Sequence, residues 1–312
     1  MKSGFENDRF FIEYESPGRP IGTFREELDL AIKKISDQSG DKLLLSLSSG
    51  LDSQIVLHSL HSQSLPYKCA FMHMPGYNDQ ELNNIKILEK KYGFEALVVE
   101  INPDEVKEEI LNQVSKRHIL PNHFMHKKFL SMLPKDLDFL AGIEGPDIVI
   151  GKKSNKRLLM EAFWNYENTR LRILREVDRD GKVLNLDRND TSDALLASIL
   201  KDPIVKGYVS SIHYIIHNDL VDGTRKKPSI IFNWNYYVKP IIMGRYWGNE
   251  LIYFPKSMGI EGVDWIINNP LRQPYDVDVA YVEYWHLLKF LTQDKNDILR
   301  IYDERFSSES HS

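Results

Sequence analysis

Cysteine is almost missing from this chain: Cys69 is the only one among 312 residues. A lone thiol cannot close an internal disulfide or furnish the several thiolates of a structural zinc or iron–sulfur site. Such sparing use of cysteine suits a reducing compartment, so a cytoplasmic location is the expectation. Long hydrophobic runs are missing too. No stretch reaches the ~18 consecutive apolar residues of a membrane span. The opening segment, MKSGFENDRF, has no apolar core of a signal peptide. No contact with a membrane is expected. Charge of one sign is not in surplus either: 45 acidic residues face 40 basic ones, for a net charge of −5. That balance disfavours a general nucleic-acid binder. Internal repeats and low-complexity tracts are absent.

Histidines do not fill the gap with a metal motif. His213 and His217 lie four apart and could share a helix face, but Tyr214 stands where a zincin needs Glu. They read as structural. His118, His123 and His126 are loosely spaced in what reads as a basic loop.

What the chain does have is 42% apolar residues, enough for a real core in one large domain or two small ones. Its most informative stretch runs from Leu43 to Ser53, LLLSLSSGLDS. An apolar run stops at small and polar residues, and an amphipathic segment, Gln54 to Leu60, follows. The order reads as a buried parallel strand, a tight loop and a helix N-terminus. Backbone N–H groups and the helix dipole there favour an anion. Ser48, Ser49 and Ser53 add hydroxyls, and Gly50 lets the backbone come close. Asp52 repels phosphate unless a cation lies between them, which points to a Mg²⁺-nucleotide rather than bare phosphate.

The rest of the first half alternates. Residues 1–22 read as an extended arm. Thr23 is a good N-cap for a helix from Phe24 to Ile35. Strands are predicted at Asp41 to Leu47, Tyr67 to Met72, Ala96 to Ile101 and Leu137 to Ala141. Helices are predicted at Ser53 to Ser62, Asn78 to Tyr92 (closed by Gly93) and Asp104 to Val114. Such alternation implies βαβ units and an open parallel sheet in an α/β fold, whose ligands bind beyond the carboxyl ends of the strands. The domain reading is an arm at 1–22, a nucleotide-binding α/β domain at 23–155, a mostly helical acceptor-side region at 156–306, and a tail at 307–312. In the second half, helices are expected at Lys156 to Val177, Asp190 to Lys201 and Tyr281 to Thr292. Asp178 to Asp190 reads as an exposed excursion.

Ser48-Ser49-Gly50-Leu51-Asp52-Ser53 resembles the Ser-Gly-Gly-x-Asp-Ser signature of the PP-loop ATP pyrophosphatases, with Ser49 where that family has Gly. The loop is not a Walker A sequence. Glu144-Gly145-Pro146-Asp147-Ile148-Val149-Ile150-Gly151 resembles the Gly-Glu-Gly-x-Asp-Glu loop of asparagine synthetases and the matching loop of their β-lactam-forming relatives, with Ile148 in place of the second acid. The resemblance runs from the helix at Phe24 through residue 153 and thins beyond. It implies an adenine-nucleotide alpha hydrolase-like domain with ATP and Mg²⁺ as cofactors. By it, Leu47, Ser48, Ser49, Gly50, Leu51, Asp52, Ser53, Met72 and Gly145 would hold the nucleotide, with Met72 on the adenine edge. Asp52 and Asp147 would bind Mg²⁺. Glu144 would be the general base, and Lys256, in Pro255 to Gly262, the late catalytic lysine. Val238 to Ile242 sits about where the family has an apolar, Pro-containing segment lining its site. Lys152 and Lys153 could neutralise pyrophosphate or form a surface pair.

The resemblance also marks gaps. Residue 2 is Lys, and no glutaminase domain fits before residue 24, so ammonia release from glutamine is not expected. The amine would be free ammonia, an amino compound, or a product delivered by an ammonia-supplying partner. The thiolating relatives and the deazapurine nitrile synthases need more cysteines than one. The implied activity is an ATP-dependent ligase joining a small-molecule carboxylate to an amine through an adenylate. Two other readings stand: an adenylating enzyme of the lysidine-synthetase kind acting on tRNA, with Lys116-Arg117-His118 or Lys127-Lys128 as a local RNA patch, and a degenerate nucleotide-binding protein without catalysis.

Overall fold

In the computed structural model of the protein, the described residues are 2–6, 9–13, 17–75, 78–102, 105, 121–141, 147–152, 158–163, 173–184, 186, 192–207, 229–232 and 239–254. The elements needed below, in chain order, are β1 (Lys2–Glu6), β2 (Arg9–Glu13), α1 (Phe24–Ser39), β3 (Leu43–Ser46), α2 (Leu51–Ser62), β4 (Lys68–His73), α3 (Asp79–Tyr92), β5 (Ala96–Glu100), α4 (Pro121–Met132), β6 (Asp138–Leu140), β7 (Asp147–Lys152), β8 (Leu158–Phe163), β9 (Val183–Leu184), α5 (Ser192–Lys201), β10 (Ser229–Phe232) and α6 (Lys239–Tyr246).

The first sheet is parallel throughout, in the order β5-β4-β3-β6-β9. The α/β open parallel sheet expected from the alternating pattern is therefore present. β3 lies at its centre and is buried on both faces. Leu43, Leu45 and Leu47 join the core formed by Phe24, Leu28 and Ile32 of α1, Ile55 and Leu60 of α2, and Ile85 and Leu88 of α3. Leu44 points the other way, as the two-residue period of a strand requires. It pairs with Phe139 of β6, and Phe129 of α4 meets Phe139 edge-on at 6.1 Å between ring centres. Helices thus cover both faces, which is why β3 is an unbroken apolar run.

Strand order gives the fold its functional direction. The chain steps from β3 outward to β4 and β5, then returns to β6 on the opposite side of β3. The switch point falls between β3 and β6, and crevices of open α/β sheets form outside the carboxyl ends of the strands at such a point.

α1 starts as Thr23 implies. The Thr23 side chain accepts from the Glu26 N–H, and Glu26 reaches back to the Thr23 backbone, forming a capping box. α3 ends at Gly93, in a left-handed conformation with φ 67°. Behind the α1 start, the buried Glu27 carboxylate accepts from both terminal nitrogens of Arg19, at 2.7 and 2.5 Å, and from the Gly22 N–H at 2.7 Å. Burial pushes the Glu27 pKa up, but the Arg19 and Gly22 hydrogen bonds outweigh it and hold the group below its ordinary value.

A second sheet is antiparallel, in the order β10-β7-β8-β1-β2. It corrects several expectations. The arm is a hairpin, Lys2 pairing with Glu13, and β1 also pairs with β8 across about half the chain. Leu158–Phe163 is a strand, not the start of a helix from Lys156 to Val177. Leu, Met, Glu and Ala there are good helix formers, but partners on both sides decide the outcome. The stretch from Asp178 to Asp190 is not merely an excursion: Val183–Leu184 is β9, paired with Phe139 and Leu140. Among the described residues after 155, the strands β8, β9 and β10 stand beside the helices α5 and α6. His123 and His126 lie on α4, not in a loop. α5 matches the helix expected from Asp190 to Lys201. The helices expected at Asp104 to Val114 and Tyr281 to Thr292, together with His118, His213 and His217, lie outside the described residues, Glu105 apart.

Two outcomes check this fold. An alanine Cβ at Gly181 would lie 1.9 Å from the Leu137 carbonyl oxygen, beside the turn that delivers β9. Gly181→Ala must push backbone apart, and urea unfolding should show a loss of about 1–3 kcal/mol. A depressed carboxylate pKa contributes stability above its unfolded value and loses it as pH falls through the folded one. Glu27 should therefore contribute fully above about pH 4.5 and progressively less below. Thermal melts against pH should show a shallower acid loss in Arg19→Ala, whose Glu27 lacks the bonds that lower it.

Candidate functional site

The loop at the carboxyl end of β3 is short. Leu47 still bonds into the sheet, its N–H donating to the Ala70 carbonyl at 2.9 Å. Gly50 is the N-cap of α2, with extended backbone. α2 begins at Leu51, two residues before the helix expected from Ser53, so Leu51, Asp52 and Ser53 form its first turn. Their N–H groups have no acceptor within the helix. Ser49 keeps a negative φ, since Ser64 alone among the described non-glycine residues has a positive one. Serine in place of glycine therefore causes no backbone strain.

Internal hydrogen bonds shape this turn. The Ser53 hydroxyl lies 2.6 Å from the Ser48 hydroxyl, accepts from the Ser48 N–H at 3.1 Å, and contacts the carbonyls of Ser48 and Gly50 at 3.0 and 3.2 Å. The Gly50 N–H donates to the Ser48 hydroxyl at 3.2 Å. Below the turn, the fully buried Gln54 amide donates to the Ser49 carbonyl at 2.8 Å and the Ile252 carbonyl at 2.9 Å, and accepts from the Ile252 N–H at 3.0 Å. Gln54 thus ties the loop to a segment about 200 residues away.

Charged groups arrive from other elements. Glu81, in the first turn of α3, accepts from the Ser49 N–H at 2.9 Å and from its hydroxyl at 3.3 Å. Asn84, one turn on, donates to the same hydroxyl at 3.4 Å. Lys239, at the start of α6, donates to Asp52 Oδ2; the two side chains are only 14% and 23% exposed. α6 is itself anchored. Arg25 donates to the Tyr246 carbonyl at 2.7 Å and grips Glu250 at 2.8 and 2.9 Å. The Tyr246 hydroxyl donates to the buried Asp202 at 2.6 Å, and burial with that bond pushes its pKa up to about 12.

The carboxyl end of β4 lies alongside. Met72 is half-buried, and Asn78 closes the turn after it. The Asn78 amide donates to the Met72 carbonyl at 2.8 Å, while its oxygen accepts from the Met74 N–H at 2.7 Å. One acceptor position of the Met72 carbonyl is thus already used. His73 is buried between Asp79, at 2.8 Å, and Glu100, at 3.3 Å.

Of the residues singled out from sequence, Leu47 to Ser53 form one turn at the sheet's switch point, and Met72 lies one residue from the end of the neighbouring strand. Asp147 is not in a loop: with Ile148 to Lys152 it forms β7 of the antiparallel sheet. The β-branched run Ile148-Val149-Ile150 was the signal for that strand. Glu144, Gly145, Lys153 and Lys256 lie outside the described residues. Lys127 and Lys128, read as a basic patch, pair with Glu176 at 3.2 Å and Glu105 at 3.4 Å. Cys69 is buried in β4 and burial raises its thiol pKa, so it is no nucleophile. Glu81, Gln54 and Lys239 were not assigned from sequence. Only the place of Lys239, before Pro240 in the Val238 to Ile242 segment, hinted at proximity.

Asp52 is the one carboxylate of the turn that a magnesium ion arriving with phosphate could use. Among the described residues no cluster of three or more His, Cys, Asp or Glu could hold a metal unaided. Mg²⁺ needs only one or two carboxylates when phosphate oxygens and waters complete its shell. Asp52 offers one, and an ammonium group already sits against it. No helix of the described residues is long and apolar enough to cross a membrane. No protein-family model matches the chain, and no curated protein matches it.

Gln54→Leu keeps the shape but leaves the Ser49 carbonyl and the Ile252 backbone unpaired. Denaturant unfolding should show a loss of about 2–4 kcal/mol, and amide exchange should quicken around Ile252.

Proposed function

We propose that this protein is an ATP-dependent ligase that adenylates a carboxylate and transfers the acyl group to an amine. The observation that carries the reading is the small-residue turn from Leu47 to Ser53. It stands at the switch point of a parallel sheet and opens a helix whose first turn bears a carboxylate, Asp52. A turn of this kind offers N–H donors to phosphates. Its aspartate favours phosphates that come with a cation. The PP-loop resemblance of Ser48 to Ser53 supplies the reaction class.

In the first step a substrate carboxylate oxygen attacks the α-phosphorus of ATP, and pyrophosphate leaves. In the second, the amine nitrogen attacks the acyl carbon, AMP leaves, and the amine gives up a proton. Bound Mg²⁺ would lower the repulsion between nucleotide and Asp52. The turn's N–H groups would hold the departing pyrophosphate, and Lys239 would add positive charge beside it. The resemblance of Glu144 to the family glutamate makes it the candidate acceptor of the amine's proton. Positioning and charge neutralisation would carry most of the rate.

The tRNA-modifying alternative loses support at Lys127 and Lys128, whose charges are partnered by Glu176 and Glu105. The test is pyrophosphate release from ATP with Mg²⁺, screened over pools of amino acids, other carboxylates and amines. Release should need a carboxylate pool, yield AMP, and fall at least ~100-fold in Asp52→Ala. ADP as the product, or undiminished release in the variant, would remove the reading.

A further inference from the structure

The turn at Leu47 to Ser53 holds a charge of each sign, and each comes from a different element. Glu81 of α3 sets a carboxylate on the Ser49 N–H and hydroxyl, at 2.9 and 3.3 Å. Lys239 of α6 sets an ammonium on Asp52. The first contact is an anion on a loop donor. The second is a cation on the loop's acid. A polyphosphate complexed with a divalent cation offers the same pair of charges to the same pair of groups.

We propose that the resting loop is self-occupied: Glu81 stands where a phosphate oxygen binds, Lys239 stands where the divalent cation binds, and one metal-complexed polyphosphate displaces both. The proposal rests on reading this turn as the Mg²⁺-polyphosphate site. It adds a selection rule. Free polyphosphate must evict Glu81 and then meets Asp52 with no divalent ion between them. A free divalent cation must evict Lys239 and leaves an ammonium beside a second positive charge. Only the complex replaces a carboxylate by an anion and an ammonium by a cation together. Polyphosphate and metal therefore bind with positive coupling, which by linkage is the same seen from either ligand.

Geometry makes both evictions feasible. Glu81 lies in the first turn of α3, half-buried at the loop's edge, and can swing to solvent without disturbing the helix. Asn84 keeps its bond to the Ser49 hydroxyl, at 3.4 Å, when Glu81 leaves. Lys239 reaches Asp52 from the first residue of α6, so its long side chain can turn while α6 stays anchored by Arg25 and Asp202. The contact also gives Ser49 a task glycine could not perform, since its hydroxyl is the second donor to Glu81.

Calorimetry on the full chain tests this, with inorganic pyrophosphate as one probe and Mn²⁺, followed by its spin resonance, as the other. Glu81→Gln keeps an acceptor for the Ser49 N–H but removes the charge. It should bind metal-free pyrophosphate about tenfold tighter than the wild type, since a charge-assisted bond is roughly twice as strong as a neutral one. Because pyrophosphate evicts Glu81 with or without Mg²⁺, the gain should appear in both conditions. Lys239→Met should bind Mn²⁺ alone about tenfold tighter, because the Lys239 ammonium no longer competes with it at Asp52. If the wild type binds pyrophosphate with Mg²⁺ but neither variant gains affinity for its single probe, self-occupation is wrong while the anion site stands. If neither the wild type nor Glu81→Gln binds pyrophosphate with Mg²⁺, the anion site and self-occupation fall together. Circular dichroism melts verify that the variants are folded, and the two variants address opposite charges in separate elements.

Discussion

An aspartate largely buried in the first turn of a helix must have its charge met, and much of this structure follows from that requirement. Asp52 sits in the first turn of α2, where the helix dipole favours it but where it would repel phosphate. Lys239 meets the charge from far along the chain. For that ammonium to arrive, α6 must be docked against the sheet domain. The docking groups are therefore part of the site, and one of them, Gln54, bonds to the turn directly.

Those groups form a connected set. Trp247 packs edge-on against Phe24 at 6.1 Å, and Arg25, next in sequence, holds the Tyr246 carbonyl and Glu250. Asp202, buried after α5, accepts the Tyr246 hydroxyl. Gln54 joins the loop to Ile252 from beneath. The segment from Lys239 to Phe254 is thereby fixed to α1, α2 and α5 at once. Removing the Arg25, Asp202 or Trp247 contacts would loosen the position of Lys239 before it altered the turn itself. The same logic explains why β3 must be buried on both faces: a strand that moves carries the loop with it.

The first half of the chain was legible because its signals are local. Thr23 and Glu26 make a capping box, Gly93 takes the left-handed position that ends α3, and the apolar runs of β3 and β4 are bounded by turns. The loop from Leu47 to Ser53 could be placed because small residues between a buried strand and a helix have few other uses. The second sheet was not legible because its signals are distant. β8 is composed of residues that favour helices, and only pairing with β1 and β7 makes it a strand. β9 is two residues long and carries no pattern of its own. Asp147 was read into a loop by resemblance, although the β-branched residues after it favour a strand. Glu81 and Lys239 could not be assigned, since nothing local says that α3 and α6 deliver their first turns to the same small loop.

A parallel sheet with a switch point between β3 and β6, a turn with helix N-terminal N–H groups at that point, and the Glu81 and Lys239 contacts to the turn together underlie the proposal. Its central claim is that the Leu47 to Ser53 turn receives the phosphates of a metal-bound nucleotide. The most direct measurement is a crystal structure of the full chain with a non-hydrolysable ATP analogue and Mn²⁺, the cation located by its anomalous scattering. The account predicts phosphate oxygens against the N–H groups of the turn, Mn²⁺ on Asp52, and Glu81 and Lys239 withdrawn from Ser49 and Asp52. A nucleotide bound elsewhere, with both internal contacts intact, would contradict it.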